Sequence, residues 1–151
     1  MNIAALGYVT IETTDLNKWL QFGTQVLGLM AAGDLSDAQN LYLKMDDYPY
    51  RLRIVLGQRD RFLCAGWELP SKDAFEQAVD ELRRAGIAVE IAGERDLRIR
   101  RVRACARFVD PVGRVGEIFY GMPLDYLPLV SPAGVRRFIT GYNGDMGLGH
   151  I

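Results

Sequence analysis

Two glycine helix stops, Gly28 and Gly86, lie 58 residues apart, and the pattern around each comes in the same order. Tyr8-Val9-Thr10-Ile11-Glu12 concentrates β-branched and aromatic residues, the composition of a strand. Thr14 or Asp15 then offers an N-cap for a helix starting at Leu16. Leu16, Trp19, Leu20, Gly23, Val26 and Leu27 fall at helical spacing, which predicts one apolar stripe against a core, ended by Gly28. Beyond it, Leu41, Leu43 and Met45 alternate with polar positions. Tyr50, Leu52, Ile54 and Leu56 alternate with Arg51, Arg53, Val55 and Gly57, which places Arg51 and Arg53 on the polar side of their strand. The first half thus reads β-α-β-β-β.

The second half repeats it. Phe62 to Glu68 reads as a strand, Ser71 as an N-cap, and Ala74, Phe75, Ala78, Val79 and Leu82 as a helical stripe closed by Gly86. Ile87, Val89 and Ile91 alternate, Ala104 to Val109 forms a further strand, and Val115 to Tyr120 the last. Between these two, Asp110-Pro111-Val112-Gly113 suits a type I turn, with Pro presetting φ at the second position. The expected class is α+β: two βαβββ modules forming a curved mixed sheet over residues 1–121. Trp19, Trp67 and Phe75 sit at patterned positions and are expected in cores.

Composition narrows the function classes. The 151 residues carry 18 Lys+Arg against 19 Asp+Glu, a formal charge of −1, so no global field favours nucleic acid or an acidic membrane surface. Every apolar run is interrupted well short of the roughly 18 to 20 residues that a membrane-spanning helix needs. Cys64 and Cys105 have no paired spacing, and the first residues lack a charged stretch followed by an apolar run. A cytoplasmic, reduced protein is expected.

From Met122 the texture changes: Pro123, Pro128 and Pro132 are followed by Gly141, Gly144, Gly147 and Gly149. Residues 122–147 read as an extension and linker, the apolar part from Leu124 to Ile139 packing on its own domain. At the end, Leu148-Gly149-His150-Ile151 matches Leu6-Gly7-Tyr8-Val9, displaced by 142 residues. The chain's one histidine therefore stands where the first copy has Tyr8, and residues 148–151 read as the start of a further domain.

These stretches together resemble a known family. LGYVTIETTDLNKWLQFGTQVLGL, CAGWELPSKDAFEQAVDELRRAGI, FVDPVGRVGEIFYG and FITGYNGDMGLGHI are similar to the vicinal oxygen chelate (glyoxalase/bleomycin resistance/dioxygenase) superfamily. The closest likeness is to the N-terminal domain and linker of type I extradiol ring-cleavage dioxygenases. The resemblance implies a non-catalytic, metal-free N-terminal domain and an Fe(II) site in a C-terminal domain, where His150 would be the first ligand. Two imidazoles and one carboxylate on one face of Fe(II) leave positions open for a catecholate and for O₂. A second histidine, the carboxylate and the acid-base groups would lie beyond Ile151. The expected activity is cleavage of catechol-type aromatic diols by the full-length parent in aromatic hydrocarbon catabolism, with this chain alone inactive. No catalytic or cofactor-binding residue is expected within it. Its expected partners are its own C-terminal domain and further copies in a homo-oligomer.

The resemblance also bears on single residues. Glu117 occupies a place similar to the carboxylate ligand of catalytic domains, but Tyr8 fills the position of its histidine partner, so a non-catalytic role is expected. Cys64 is expected as a small buried hydrophobe. The basic run Arg95, Arg98, Arg100, Arg101, Arg103 and Arg107 is expected to be a solvated strand-and-loop face, Glu90, Glu94 and Asp96 offsetting part of its field. The alternative function is a small-molecule binding module of the glyoxalase/bleomycin-resistance fold, since one fold hosts many functions. A metal-dependent glyoxalase or epimerase would need ligands that the sequence does not supply.

Overall fold

The computed structural model describes residues 1–138 and Leu148. The chain divides into two compact units, one of Met1–Gly7 with Cys64–Pro123 and one of Tyr8–Leu63 with the segment from Leu124 onward. Both are α+β, and each carries one β-α-β-β-β module.

In the unit containing Tyr8, the elements are β1 (Ala5–Thr13), α1 (Leu16–Gln21), β2 (Met30–Ala31), β3 (Asn40–Lys44) and β4 (Leu52–Leu56). The strands lie in the order β2-β3-β4-β1, with β1 parallel to β4 and the other pairs antiparallel. Asp15 is the N-cap of α1, its carboxylate accepting from the Asn17 and Lys18 backbone N–H groups. After Gln21 the chain widens into a π-helical turn, Phe22–Val26.

That turn breaks the expected apolar stripe at its far end. Leu20, in α1, is already exposed, and the wider turn rotates later residues off the 3.6-residue period, so Val26 and Leu27 are exposed too, Val26 at 69%. Gly23 faces inward as the stripe expects, and Thr24 joins it. A Cβ on Gly23 would stand 2.5 Å from Leu43 Cδ1, so the missing side chain is what lets the turn lie on β3. Leu29, Leu41, Leu43 and Ile54 form the core beneath, with Leu16 and Trp19 packed against it.

In the other unit, β5 (Arg61–Glu68) precedes α2 (Lys72–Arg84), β6 (Glu90–Ile91), α3 (Glu94–Arg100), β7 (Ala104–Val109) and β8 (Val115–Tyr120). The order is β5-β8-β7-β6, with β5 parallel to β8. Ser71 caps α2 through the Ala74 N–H, and Gly86 follows it at φ +77°. Phe75, Ala78, Val79 and Leu82 bury one face of α2 on Leu69, Ala106 and Ile118, the larger three contributing about 1.5–3 kcal/mol each. The Asp110–Gly113 turn closes with the Gly113 N–H donating to Asp110 O at 3.0 Å. The strand expected over Ile87 to Ile91 shrinks to Glu90–Ile91, because Ile87 and Val89 are drawn onto the α2 core while Ile91 stays exposed.

Candidate functional site

Glu117 lies on β8 between Gly116 and Ile118 and is fully buried. Ile118 faces the α2 core, so the period of the strand turns Glu117 to the opposite face. Arg100, at the end of α3 and itself buried, meets it in a fork: Nε donates to Oε2 at 2.7 Å and Nη2 donates to Oε1. Arg107 on β7, opposite Glu117 in the strand register, donates to Oε1 from Nε at 3.2 Å and from Nη2 at 3.1 Å. Burial by itself lowers the Arg107 pKa, but the hydrogen bonds and charge of Glu117 outweigh it and raise the net value. Asp96 completes the cluster, accepting from Arg100 Nη1 at 3.2 Å.

This corrects the reading of the basic run as a solvated strand-and-loop face. Glu94–Arg100 is a helix, and it carries Arg100 inward to neutralise a buried carboxylate that would otherwise be costly to desolvate. Arg95, Arg98, Arg101 and Arg103 do stay exposed. The i to i+4 spacing of Asp96 and Arg100 was visible in the sequence; the partner 17 residues away was not.

In the unit containing Tyr8, the face opposite the Leu41, Leu43 and Ile54 core is also filled. Tyr8, Tyr42 and Tyr50 are buried, with ring centroids 5.6 Å apart for Tyr8 and Tyr50 and 4.9 Å for Tyr42 and Tyr50. Arg51, expected on a polar face, is only 3% exposed. Its guanidinium lies 3.8 Å over the Tyr48 ring and pairs with Asp46 at 2.6 Å. The expected alternation breaks because β4 starts at Leu52, leaving Tyr50 and Arg51 in irregular backbone that turns Tyr50 towards Tyr42. Lys44 is buried too, its Nζ donating to Asp125 O at 2.7 Å and to Asp125 Oδ2 at 2.8 Å.

A metal centre needs several deprotonated or neutral donors converging with free lone pairs. Among the described residues no three His, Cys, Asp or Glu side chains come together. Glu117, the one carboxylate in a ligand-like position, has both oxygens engaged by guanidinium groups. These residues do not fit a metal ion. Cys64 and Cys105 are buried, and His150 lies outside the described residues.

Comparison with known proteins sets this geometry in context. The sequence profile of the Dihydroxybiphenyl dioxygenase BphC D1 family matches residues 6–57. An iron-dependent extradiol dioxygenase of Rhodococcus jostii (strain RHA1) is 40% identical over 151 residues, covering 100% of this chain and 49% of that protein. A 1,2-dihydroxynaphthalene dioxygenase of Sphingobium xenophagum is 35% identical, covering 99% and 49%. A crystal structure of catechol 2,3-dioxygenase superposes with a TM-score of 0.88 at 27% identity, covering 95% of this chain and 51% of that one. The chain thus spans about half the length of the curated relatives it matches.

Paired β-α-β-β-β modules of this kind are the vicinal oxygen chelate fold. Within that class the chain is a homologue of the extradiol dioxygenases and corresponds to their N-terminal half.

Proposed function

We propose that this chain is the non-catalytic N-terminal domain of an Fe(II)-dependent extradiol dioxygenase that opens catechol-type aromatic diols with O₂. One observation supports it above the others: the alignment runs along the whole chain yet covers only half of an iron-dependent extradiol relative. The Arg100–Glu117–Arg107 cluster agrees with a scaffold role, since it spends the ligand-like carboxylate on two cations. In this reading residues 1–121 are the paired-module domain, 122–147 the extension and linker, and 148–151 the start of the catalytic domain, with His150 as its first iron ligand. The protein acts in the cytoplasm as a homo-oligomer, its own C-terminal domain being the nearest partner. No helix among the described residues is long and apolar enough to cross a membrane. The small-molecule binding alternative is disfavoured in one unit, where Tyr8, Tyr42 and Tyr50 occupy the face that a ligand would need.

The test is oxygen uptake with catechol and 2,3-dihydroxybiphenyl after loading with Fe(II). The 151-residue chain is expected to show none. The product of the reading frame continued past Ile151 is expected to consume O₂ and open the ring, and His150→Ala in it to lower iron retention by at least about tenfold. A continued frame lacking a second histidine and a later glutamate, or showing no iron-dependent uptake, sinks the proposal.

A further inference from the structure

We infer that the hollow at the C-terminal end of α3 binds a small organic anion, a carboxylate carried on an aromatic or short aliphatic body. The hollow is open to solvent, with a volume of about 580 Å³. Three arginines stand around it, Arg98, Arg101 and Arg103, and no acidic residue lines it. Its remaining surface is the apolar bodies of Leu97, Val102, Met122 and Pro123, of which Val102 and Met122 are buried beneath it. Arginines beside apolar side chains match a ligand with one charged end and one greasy end, and suit a bare inorganic ion poorly.

The backbone that carries Arg101 and Arg103 is pinned. Arg101 adopts the left-handed conformation, φ 52° and ψ 48°, a costly state for a residue with a side chain, and its backbone N–H closes α3 onto Arg98 O and Leu97 O. Arg103 donates its N–H to Tyr120 O at 3.1 Å. Its aliphatic stem lies so close to Gly121 that a Cβ there would stand 2.8 Å from Arg103 Cδ. Of the nearby acids, Asp96 pairs with the buried Arg100, and Glu94, from an exposed position, pairs with Arg98 at 3.2 Å, so Arg101 and Arg103 are the arginines the anion would meet. One arginine in a last helical turn complements the helix dipole; three around an apolar hollow exceed that need. The inference is independent of the dioxygenase reading, since it uses only residues 97–103 and 121–123.

Phenylacetate titrated into the full chain, followed by the backbone amide and arginine side-chain signals in ¹H–¹⁵N NMR, tests it. Saturable shifts are expected, confined to residues 97–103, Gly121 and Met122. Acetate, which lacks the apolar body, and phenylacetamide, which lacks the charge, should each bind at least about fivefold more weakly. Arg101→Gln with Arg103→Gln should weaken phenylacetate by at least about fivefold while the far-ultraviolet circular dichroism stays unchanged. Absence of saturation, equal binding of acetate or of phenylacetamide, or affinity surviving the double substitution overturns the inference. The ligand comparison on the unsubstituted chain decides it even if the double variant misfolds.

Discussion

Arg100 grips Glu117 with one edge of its guanidinium, Nε on one carboxylate oxygen and Nη2 on the other, and both side chains are withdrawn from solvent. A helix of seven residues, α3, exists where the sequence suggests a strand-and-loop face, and its last residue delivers the charge.

Removing one side of that fork strands a buried carboxylate. Arg100→Met is expected to lower stability by about 2–4 kcal/mol, Arg107 retaining part of the compensation, whereas Arg100→Met combined with Glu117→Leu should recover most of the loss. Urea denaturation of the three proteins measures this. A double variant no more stable than the single one would show that the cluster works by shape and not by charge pairing.

Gly7, in the Leu6-Gly7-Tyr8-Val9 stretch, is a packing requirement of the first strand. A Cβ there would stand 2.2 Å from Phe119 Cζ, and Phe119 is fully buried. Gly7→Ala is expected to cost about 1–3 kcal/mol and Gly7→Val more, with Phe119→Leu relieving part of the Gly7→Ala penalty. Thermal melts of the single and paired variants decide it, and a neutral Gly7→Val would contradict the contact.

Lys44 ties the segment after Pro123 to β3. Lys44→Met is expected to cost about 1–3 kcal/mol, since Asp125 is partly exposed and can be rehydrated once its partner is gone. The amide of Asp125, which donates to Asp47 O at 2.6 Å, should then lose hydrogen-exchange protection ahead of the amides of β3. Unchanged protection at Asp125 would mean that the apolar contacts of the segment hold it without the lysine.

Acid should loosen the loops at the end of β1. The Thr13 hydroxyl and the Thr14 N–H hold the Asp60 carboxyl below its ordinary value of 3.8, and Arg61 and the Gln58 N–H hold Glu12 below 4.5. A carboxyl with a lowered folded-state pKa binds its proton more readily when unfolded. Its stabilisation is therefore present above about pH 4 to 5 and is lost as the pH falls through the lowered value. The melting temperature is expected to fall below about pH 4, and less steeply in Asp60→Asn than in the parent chain. Parallel curves for the two would exclude Asp60 as a contributor.

Regular local periods were readable in advance. Asp15 and Ser71 have side chains that accept from backbone N–H groups two or three residues on, so the helix starts followed from chemistry within one turn. Phe75, Ala78, Val79 and Leu82 followed from a 3.6-residue period that nothing disturbed. The stripe failed at Val26 and Leu27 because one π-helical turn, accommodated by Gly23 against Leu43, changed the period partway along.

Sequence by itself determined the two β-α-β-β-β modules, though not α3 or the π-helical turn, together with the caps and the Asp110–Gly113 turn, because each rests on neighbours along the chain. Only the tertiary structure decided that Arg51, Lys44, Arg100 and Glu117 are interior residues. Alternation says which face of a strand a side chain takes, but whether that face is wet depends on what covers it. Here the covers are a cluster of tilted and edge-on tyrosines, a returning segment at Asp125 and a short helix bearing Arg100. Their charged partners lie between 4 residues away, for Asp96 and Arg100, and 81 residues away, for Lys44 and Asp125. A buried charge is tolerated only where such a partner arrives, and that arrival is a property of the folded chain.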